Sequence, residues 1–286
     1  MIDLHIHLLP GVDDGPAELE ESVAMCRAAA EEGCTALVAT PHQRCPRWWN
    51  DDPAGLEVLR AALEARLDGA LEVRLGAEIR VDSELLGELD RHPDTGLLPL
   101  AGSRYLLVEF DRQGLGPEPE PIVDELMAMG WRPIVAHPEF VPQLVEDVGR
   151  AGVMARAGAR FQVTGASLEG RFGRDVKRFA HDLIDRGLVH FVASDAHGTR
   201  WRPPGLAQAR EVLVKGWGDE AARRLTVDNP ARRAGRPAPL SRRLACAHPG
   251  ASFGRCDASS RPSGSSRSSC PSPHRAARRS PSTTTS

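Results

Sequence analysis

The 286-residue sequence lacks any long apolar run. A membrane-spanning helix needs about 18 consecutive apolar residues, and no segment approaches that length, so we expect no integral membrane segment. Met1 is followed by neither a basic region nor a long apolar stretch, so we expect no secretory signal. Both absences favour a cytoplasmic protein. Because apolar residues make up 41% and charged residues 26% of the chain, a wholly disordered protein is excluded.

Several enzyme motifs are missing as well. The six cysteines form no C-x-x-C pair, which argues against a cysteine zinc site or a thioredoxin-type redox motif. There is no Walker lysine motif, and the short glycine pair at Gly114 and Gly116 lacks the third glycine of a dinucleotide-binding turn. No cysteine is followed six positions later by arginine, so the thiolate chemistry of cysteine-dependent tyrosine phosphatases is excluded.

Lysine is scarce, with Lys177 and Lys215 the only two among 36 basic residues. The formal net charge is −3, but it is unevenly distributed. Residues 241–286 hold eight arginines against one acidic residue, Asp257, so residues 1–240 carry an excess of ten negative charges. An acidic body argues against a surface that coats nucleic acid, and we expect no nucleic-acid partner.

The last 46 residues, 241–286, contain 13 serines and almost no large apolar side chains. Such a segment cannot bury enough surface to offset its chain entropy, which predicts a disordered tail after a domain spanning residues 1–240. We interpret the tail as a dispensable extension, and the alternative is a basic arm that binds an acidic surface.

Residues 1–240 alternate between β-rich runs and amphipathic helical stretches. The predicted strands are Ile2–His7, Ala36–His42, Glu72–Val81, Arg104–Phe110, Arg132–His137, Arg160–Val163 and Val189–Ala193. The predicted helices are Pro16–Glu32, Leu56–Leu67, Glu120–Met129, Val141–Ala157, Asp175–Arg186 and Ala207–Lys215. This alternation predicts an α/β fold with parallel strands and crossover helices. Seven repeats without a glycine-rich dinucleotide turn favour a barrel over an open sheet.

Histidines and carboxylates cluster at the predicted strand ends. They are His5, His7, His42, Glu78, Glu109, His137, Asp195 and His197. Because the carboxyl ends of barrel strands converge on one face, we expect these side chains to meet. Burying so many ionisable groups together is costly unless cations compensate them. With Asp14 there are nine candidate ligands, which predicts two or three divalent ions, and the mixture suits manganese, zinc or iron.

The order of these motifs, HxH, TPH, GAE, VEF, AHPE and SDAH, resembles the PHP superfamily (polymerase and histidinol phosphatase). The resemblance implies a distorted seven-stranded barrel, of the TIM-like (β/α)7 type, that holds three metals. The stretches IDLHIHLLPGVDDGP, FQVTGASLEGRFG and SDAHGTRWRPP are similar to bacterial manganese-dependent protein-tyrosine phosphatases of capsule and exopolysaccharide clusters. This similarity runs from Met1 to about Leu240. It implies hydrolysis of phosphotyrosine in a protein, with a membrane-associated tyrosine autokinase as the partner.

The resemblance also implies how the ligands divide. One metal is held by His5, His7, Glu78 and Asp195. Glu78 bridges to a second metal, which is completed by Glu109 and His137. A third takes Asp14, His42 and His197. Arg202 matches a phosphate-binding arginine, whose fixed fork of donors suits a phosphoryl group. The expected catalytic residues are Arg202, His42 and His197, with manganese the expected metal and a metal-activated water the nucleophile.

One position departs from the family pattern. After His-Pro-Glu the family commonly carries arginine, whereas this chain carries Phe140. The departure leaves three consequences open: weaker activity, a compensating arginine elsewhere, or a different substrate. By proximity to the motifs, the candidate replacements are Arg200, Arg44 and Arg47, each with a solvated loop position as the alternative.

Three further residues are candidates for substrate contact or proton transfer. Trp48 and Trp49 follow the third metal motif and can stack on a phosphotyrosine ring, with packing against a helix as the alternative. Glu139 is the nearest carboxylate outside the ligand set and a candidate general acid, although we favour a surface or helix-capping role. A phenol, with a pKa near ~10, leaves with less help than an alkyl alcohol, so we expect aryl phosphates to react faster than alkyl phosphates.

Three functions therefore stay open. The first is a metal-dependent phosphotyrosine-protein phosphatase. The second is a PHP-family phosphoesterase that acts on a small molecule or a nucleic acid, and the acidic body argues against the nuclease. The third is a regulatory homologue weakened by Phe140, and the complete ligand set argues against it.

Overall fold

Parallel strands form the centre of the molecule, which a computed structural model describes over residues 1–91 and 96–234. The strands are β1 (Ile2–Ile6), β2 (Ala36–Ala39), β3 (His42–Gln43), β4 (Glu72–Leu75), β5 (Glu78–Arg80), β6 (Tyr105–Glu109), β7 (Arg132–Ala136), β8 (Arg160–Thr164) and β9 (Phe191–Ala193). All of their pairings are parallel, as the alternating pattern predicts. The predicted tail, 241–286, lies outside the described residues.

The strands form two sheets, ordered β1-β2-β4 and β3-β5-β6-β7-β8-β9. Two residues separate β2 from β3, and two separate β4 from β5, so each pair continues one predicted strand. Pro41, at the first interruption, has no N–H to donate to a neighbouring strand. Gly76, at the second, lies so close to Leu100 that an added Cβ would stand 2.9 Å from its Cδ2 atom. The nine segments therefore correspond to the seven predicted strands.

The two sheets are joined on both sides. On one side the chain itself joins them, because β2 leads into β3 and β4 leads into β5 across two residues each. On the other side Ile6 forms a parallel bridge with Ala196, just beyond β9. The strands consequently close into a ring, which confirms the distorted barrel.

Helices connect most of the strands. They are α1 (Leu19–Glu31), α2 (Pro53–Ala65), α3 (Leu85–Arg91), α4 (Pro119–Ala128), α5 (Pro142–Glu146), α6 (Val148–Ala157), α7 (Gly165–Glu169), α8 (Arg174–Asp185), α9 (Leu206–Arg223) and α10 (Asn229–Ala234). Shorter turns occupy Leu100–Gly102, Pro138–Phe140 and, in π-helical form, Arg224–Asp228. Among the described residues, no helix combines the length and apolar character needed to cross a membrane.

The single helix predicted over Val141–Ala157 is wrong, because the structure divides it into α5 and α6. The break lies at Asp147, whose backbone is extended and whose side chain accepts a hydrogen bond from the N–H of Gly149 at 2.8 Å. Such a bond satisfies one of the free N–H groups at a helix start. The helix predicted to end at Lys215 continues as α9 to Arg223, with a kink at Gly218 (φ 84°).

Alternation along the strands divides the buried side chains into two clusters. The larger one combines strand residues such as Leu37 and Val135 with helix residues such as Val23. The smaller one contains strand residues and Leu100 but no residue of the ten α-helices, so it fills the barrel interior. The side chains just beyond it, at the carboxyl ends of the strands, are polar.

Candidate active site

The carboxyl ends of the strands and the loops that follow them hold all nine predicted ligands. These are His5 in β1, His7 after it, Asp14 in the loop before α1, His42 in β3, Glu78 in β5, Glu109 at the end of β6, His137 after β7, and Asp195 and His197 after β9. All are buried except His42, which is half-buried, and Asp14, which is exposed. The structure therefore brings the whole predicted set to one mouth of the barrel.

An irregularity in β1 accompanies the first pair of imidazoles. The register of β1 against β2 shifts between Asp3 and Ile6. Such irregularities re-aim side chains and are frequent beside active sites. The Nε2 atoms of His5 and His7 lie 3.4 Å apart. Both imidazoles thus face the same point, as a metal clamp requires.

Glu78 lies at the centre of the cluster. Its Oε2 atom is 3.4 Å from His5 Nε2, 3.3 Å from His7 Nε2 and 3.1 Å from His42 Nδ1. Its Oε1 atom is 2.7 Å from His137 Nε2. One carboxylate therefore contacts four imidazoles, which is the position that a bridging ligand needs.

The ligand atoms form three overlapping groups, each with its atoms within 4.8 Å of one another. The groups are His5, His7 and Asp195; His42, Glu78 and Glu109; and His7, Asp14, His42 and His197. This division resembles the expected one but differs from it in four places. His7 lies in the third group as well as the first, and His42 lies in the second group as well as the third. Glu78 is absent from the first group, and His137 is absent from the second and contacts the cluster through Glu78.

Opposite charges inside the cluster shift the pKa values of its members. Burial lowers the pKa of His7, but the charges and hydrogen bonds of Asp13 and Glu78 together outweigh burial and raise that pKa well above its usual value. Burial opposes ionisation of Glu78, yet the surrounding imidazoles hold its pKa well below the usual range. For His197, burial and the charge of His7 lower the pKa. The imidazole nearest the solvent-exposed Asp14 thus favours its neutral, ligating form.

The donor set fits divalent metal ions. Five imidazoles with four carboxylates suit manganese, iron or zinc better than calcium. The Nδ1 atom of His42 is buried and makes no hydrogen bond, although Glu78 Oε2 lies 3.1 Å away. Two ligand atoms this close, without a hydrogen bond between them, can share one ion. Metal binding would also replace the protons that a buried cluster must otherwise hold.

Two residues that the sequence did not point to accept hydrogen bonds from ligand imidazoles. Asp13 Oδ2 accepts a hydrogen bond from His7 Nδ1 at 2.7 Å, and Gln162 Oε1 accepts one from His5 Nδ1 at 2.8 Å. Each bond leaves the Nε2 atom of the ring free to ligate, as is usual behind metal-binding histidines. The doubled aspartate of GVDDGP is the sequence signal for Asp13. For Gln162 the only signal is a polar residue inside an apolar strand.

The backbone is strained at three residues of the site. His137 (φ 31°), Asp195 (φ 53°) and Arg202 (φ 50°) all have left-handed conformations. This region is uncommon for residues other than glycine and costs about 1–3 kcal/mol each. Because such strain concentrates at functional sites, it agrees with a functional role for this mouth of the barrel.

Comparison with known proteins identifies the family. Residues 1–234 match the family model described as capsular polysaccharide synthesis, CpsB/CapC. The chain belongs to the CpsB/CapC family. It is 35% identical over 229 residues to tyrosine-protein phosphatase YwqE of Bacillus subtilis, covering 79% of this chain and 89% of YwqE. It is 30% identical over 239 residues to tyrosine-protein phosphatase CpsB of Streptococcus pneumoniae, covering 80% and 96%.

Solved structures agree with this placement. The CpsB/CapC-family chain superposes with a TM-score of 0.70 and 35% identity on a chain from the crystal structures of YwqE from Bacillus subtilis and CpsB from Streptococcus pneumoniae, described as unique metal-dependent tyrosine phosphatases. The match covers 78% of this chain and 90% of that one. A phosphotriesterase homology protein from Escherichia coli, at 12% identity and a TM-score of 0.55, shares the fold alone.

Arg202 is the predicted arginine that reaches the cluster of this CpsB/CapC-family chain. It pairs with Asp195, and its Nη1 atom lies 3.3 Å from His197 Nε2. Arg200 is exposed on the same loop. Of the other candidates, Arg47 lies over the ring of Trp48, with its Cζ atom 4.7 Å from the ring centroid.

Arg44 is unsuited to replace the arginine expected at position 140. Its side chain is only 5% exposed, and it pairs with Asp82 at 3.0 Å and with Glu88 of α3. These two carboxylates hold its Nη1 and Nη2 atoms away from the ligand set. Arg44 follows the TPH motif closely in the sequence, but this proximity does not bring its guanidinium group to the ligands. The backbone at Arg44 has a left-handed conformation, with φ 64°, and the side chain pairs with carboxylates outside the ligand set.

The tryptophans divide between the site and the loop behind it. Trp48 stacks on His42 with centroids 5.5 Å apart and an 8° angle between the rings. Trp49 instead lies over Arg44, at 5.3 Å. Trp201, which the sequence analysis missed, meets His197 edge-on at 5.9 Å and is 65% exposed. An exposed tryptophan beside a metal motif is the signal that could have identified it.

A surface role for Glu139 is wrong. The residue is 2% exposed, and its Oε1 atom accepts hydrogen bonds from the N–H of Thr164 at 2.9 Å and from Ser167 Oγ at 2.7 Å. Burial raises its pKa. Glu139 therefore fastens the turn after β7 to the start of α7.

Proposed function

We propose that this chain is a metal-dependent phosphatase that hydrolyses phosphotyrosine in proteins. The observation that carries the proposal is the meeting of four imidazoles and four carboxylates at one barrel mouth, with His137 joined to them through Glu78, in a chain of the CpsB/CapC family. The two relatives compared above are named tyrosine-protein phosphatases. The crystal structures of YwqE and CpsB are described as those of metal-dependent tyrosine phosphatases.

The nine ligands would hold two or three ions. We assign His5, His7, Glu78 and Asp195 to the first, Glu78, Glu109 and His137 to the second, and Asp14, His42 and His197 to the third. Manganese is the ion we propose, with iron and zinc as alternatives. When bound, such ions lower the pKa of water and neutralise phosphate oxygens.

The chain's own residues orient the substrate. Arg202 places its guanidinium beside His197 at the edge of the cluster, where its fork can hold two phosphoryl oxygens and stabilise the charge of the transition state. His42 and His197 are the imidazoles beside the exposed Asp14, at 3.5 Å and 3.3 Å from its Oδ1 atom. We therefore assign Arg202, His42 and His197 to the phosphoryl-transfer step.

Aromatic side chains at the rim favour an aryl phosphate. Trp48 and Trp201 flank the group that contains His42 and His197, and both have exposed surface. Aromatic pairs contribute about 0.5–1.5 kcal/mol beyond burial, which supports binding of a phosphotyrosine ring. Arg200 and Trp49 are exposed on the same two loops and are farther candidates for contact with the substrate protein.

The cysteines argue for metal chemistry by their positions. Cys26 and Cys34 are buried in the core, and burial raises the pKa of each thiol to about 12. A nucleophilic thiol needs a lowered pKa. Cys26, Cys34 and Cys45 are free thiols, which supports a location in the cytoplasm. From the family we propose a membrane-associated tyrosine autokinase of capsule or exopolysaccharide synthesis as the substrate.

The test is turnover of a phosphotyrosyl peptide by manganese-loaded protein. We expect turnover that chelator abolishes, that His197→Ala abolishes, and that Cys45→Ser leaves unchanged. A phosphoserine peptide of the same sequence should react more slowly, because an alkyl oxygen is the poorer leaving group. Absence of turnover in protein that carries its metals would contradict the proposal and favour a small-molecule substrate or a regulatory role.

A further inference from the structure

A second arginine, Arg112, borders the ligand set. It belongs to the loop after β6, three strands along the sheet from β9 and the loop of Arg202 that follows it, and its Nη2 atom is 3.4 Å from His137 Nε2. Its Nε atom is 3.7 Å from Glu109 Oε1. Arg202 contacts Asp195 and His197, so the two guanidinium groups border different ligands of the same cluster.

The ring of Phe140 packs against this guanidinium group. The Cζ atom of Arg112 lies 4.9 Å from the centroid of the Phe140 ring, a cation–π distance. Phe140 is itself fixed between His137, at 5.9 Å, and Phe172, which it meets edge-on at 5.2 Å. The arginine therefore rests on a fixed aromatic face beside the ligands.

The donors of Arg112 are not saturated by this contact. Its separation from Glu109 exceeds hydrogen-bond length, and 42% of its side chain is exposed. The neighbouring Arg80 provides a contrast, because it also lies near Glu109, at 3.6 Å, but pairs closely with Asp111. The guanidinium group of Arg112 thus keeps N–H donors that are exposed to solvent at the mouth of the site.

We propose that Arg112 is a phosphate-binding residue of this site and holds the phosphoryl group together with Arg202. The inference rests on the proposed function, because the ligand is the phosphate monoester of that reaction. A planar fork of donors matches two phosphate oxygens, whereas an ammonium group offers a point charge. Phe140 contributes by positioning the guanidinium through its ring.

The test measures binding of inorganic phosphate to manganese-saturated protein by calorimetry, with the metal content of each variant determined by mass spectrometry. We expect Arg112→Ala to weaken phosphate binding by about 10- to 100-fold at unchanged metal content, the range for a lost charged hydrogen bond. Arg112→Lys should recover part of the affinity, and Phe140→Leu, which removes the ring, should weaken it less than Arg112→Ala does.

Arg66→Ala is the matched control, because Arg66 is similarly exposed and pairs with Glu20 on the helical surface. Its phosphate affinity should equal that of the wild type. A phosphate Kd for Arg112→Ala within twofold of the wild type would overturn the inference. Since phosphate binding is measured without turnover, a wild type that binds phosphate through Arg112 but leaves phosphotyrosine intact would refute the proposed function alone.

Discussion

Asp13 offers the sharpest test of the metal site, because it supports a ligand without being one of the nine. Its Oδ2 atom accepts hydrogen bonds from His7 Nδ1 at 2.7 Å and from the N–H of His42 at 3.0 Å, and its Oδ1 atom accepts from the N–H of Gly15 at 2.9 Å. Burial opposes its ionisation, but the charge and hydrogen bond of His7 lower its pKa.

Asp13→Asn replaces one carboxylate oxygen, a hydrogen-bond acceptor, with an NH2 group, which is a donor. Three donors face the carboxylate, and an amide has a single oxygen, so at least one donor loses its acceptor. His7 also loses the negative charge that makes its ring a stronger ligand. Substitutions behind a metal-binding histidine typically cost 10- to 100-fold in metal affinity, which corresponds to about 1.4–2.7 kcal/mol. Because His7 lies in two of the three ligand groups, we expect a loss at more than one ion.

The assay is a manganese titration of metal-free protein by competition with a chelating dye. Asp175→Asn is the matched control, since Asp175 is exposed on α8 and pairs only with Arg178 among the described residues. Its affinity should equal that of the wild type, and circular dichroism should show both variants folded. A folded Asp13→Asn protein with wild-type affinity would refute the reasoning.

Three further predictions concern different parts of the molecule. Glu78→Gln should remove the carboxylate shared by four imidazoles and lower both metal content and phosphotyrosine turnover, the latter by about 100-fold or more. Retention of all ions by the purified variant would contradict its bridging position. Trp201→Ala should raise KM for phosphotyrosyl peptide by about 2- to 10-fold and leave an alkyl phosphate unaffected. Equal changes for both substrates would argue against ring stacking. Burial raises the pKa of Asp3 from 3.8 to about 6, so the folded state holds a proton that the unfolded state has lost between these pH values. The stability of metal-free wild type should therefore fall relative to Asp3→Asn as pH rises from about 4 to 6, by up to ~3 kcal/mol in urea unfolding.

The barrel could be predicted because its strands are short β-rich runs separated by helical stretches. The ligands could be predicted because the carboxyl ends of parallel strands must meet at one face. The breaks within these strands and helices were harder to predict from the sequence. Ala36–His42 reads as one strand, and only the missing N–H of Pro41 divides its ladder. Asp147, which divides α5 from α6, acts through a side-chain cap that apolar periodicity does not reveal.

Residue type alone could not distinguish the metal ligands from the residues that hydrogen-bond to them. Asp13 and Asp14 are adjacent and identical, yet one accepts a hydrogen bond from His7 and the other approaches His42 and His197. Which carboxylate points to which ring depends on the turn at Gly15, where an added Cβ would stand 2.9 Å from the carbonyl oxygen of His7. That close approach is a property of the folded loop.

Contacts at the rim depend on which strands are neighbours. Arg112 and Phe140 are 28 positions apart in the sequence and meet because β6 pairs with β7. Sequence proximity instead pointed to Arg200, Arg44 and Arg47, and of these Arg44 is paired with Asp82 and Glu88. A compensating arginine was therefore predictable as a possibility, but proposing Arg112 for that role required the order of the strands.

The same geometry separates two classes of variant. All the ligands except Asp14 lie at or just after strand ends and are buried or half-buried, whereas Arg112 and Trp201 lie on loops at the rim. Loops tolerate change while the scaffold stays fixed. Variants at Arg112 and Trp201 should therefore change phosphate or peptide binding at constant metal content, and variants at Asp13 and Glu78 should change metal content first. If the rim variants lost metal to the same degree, the rim and the ligand cluster would be one cooperative unit and the assignment of separate roles would fail.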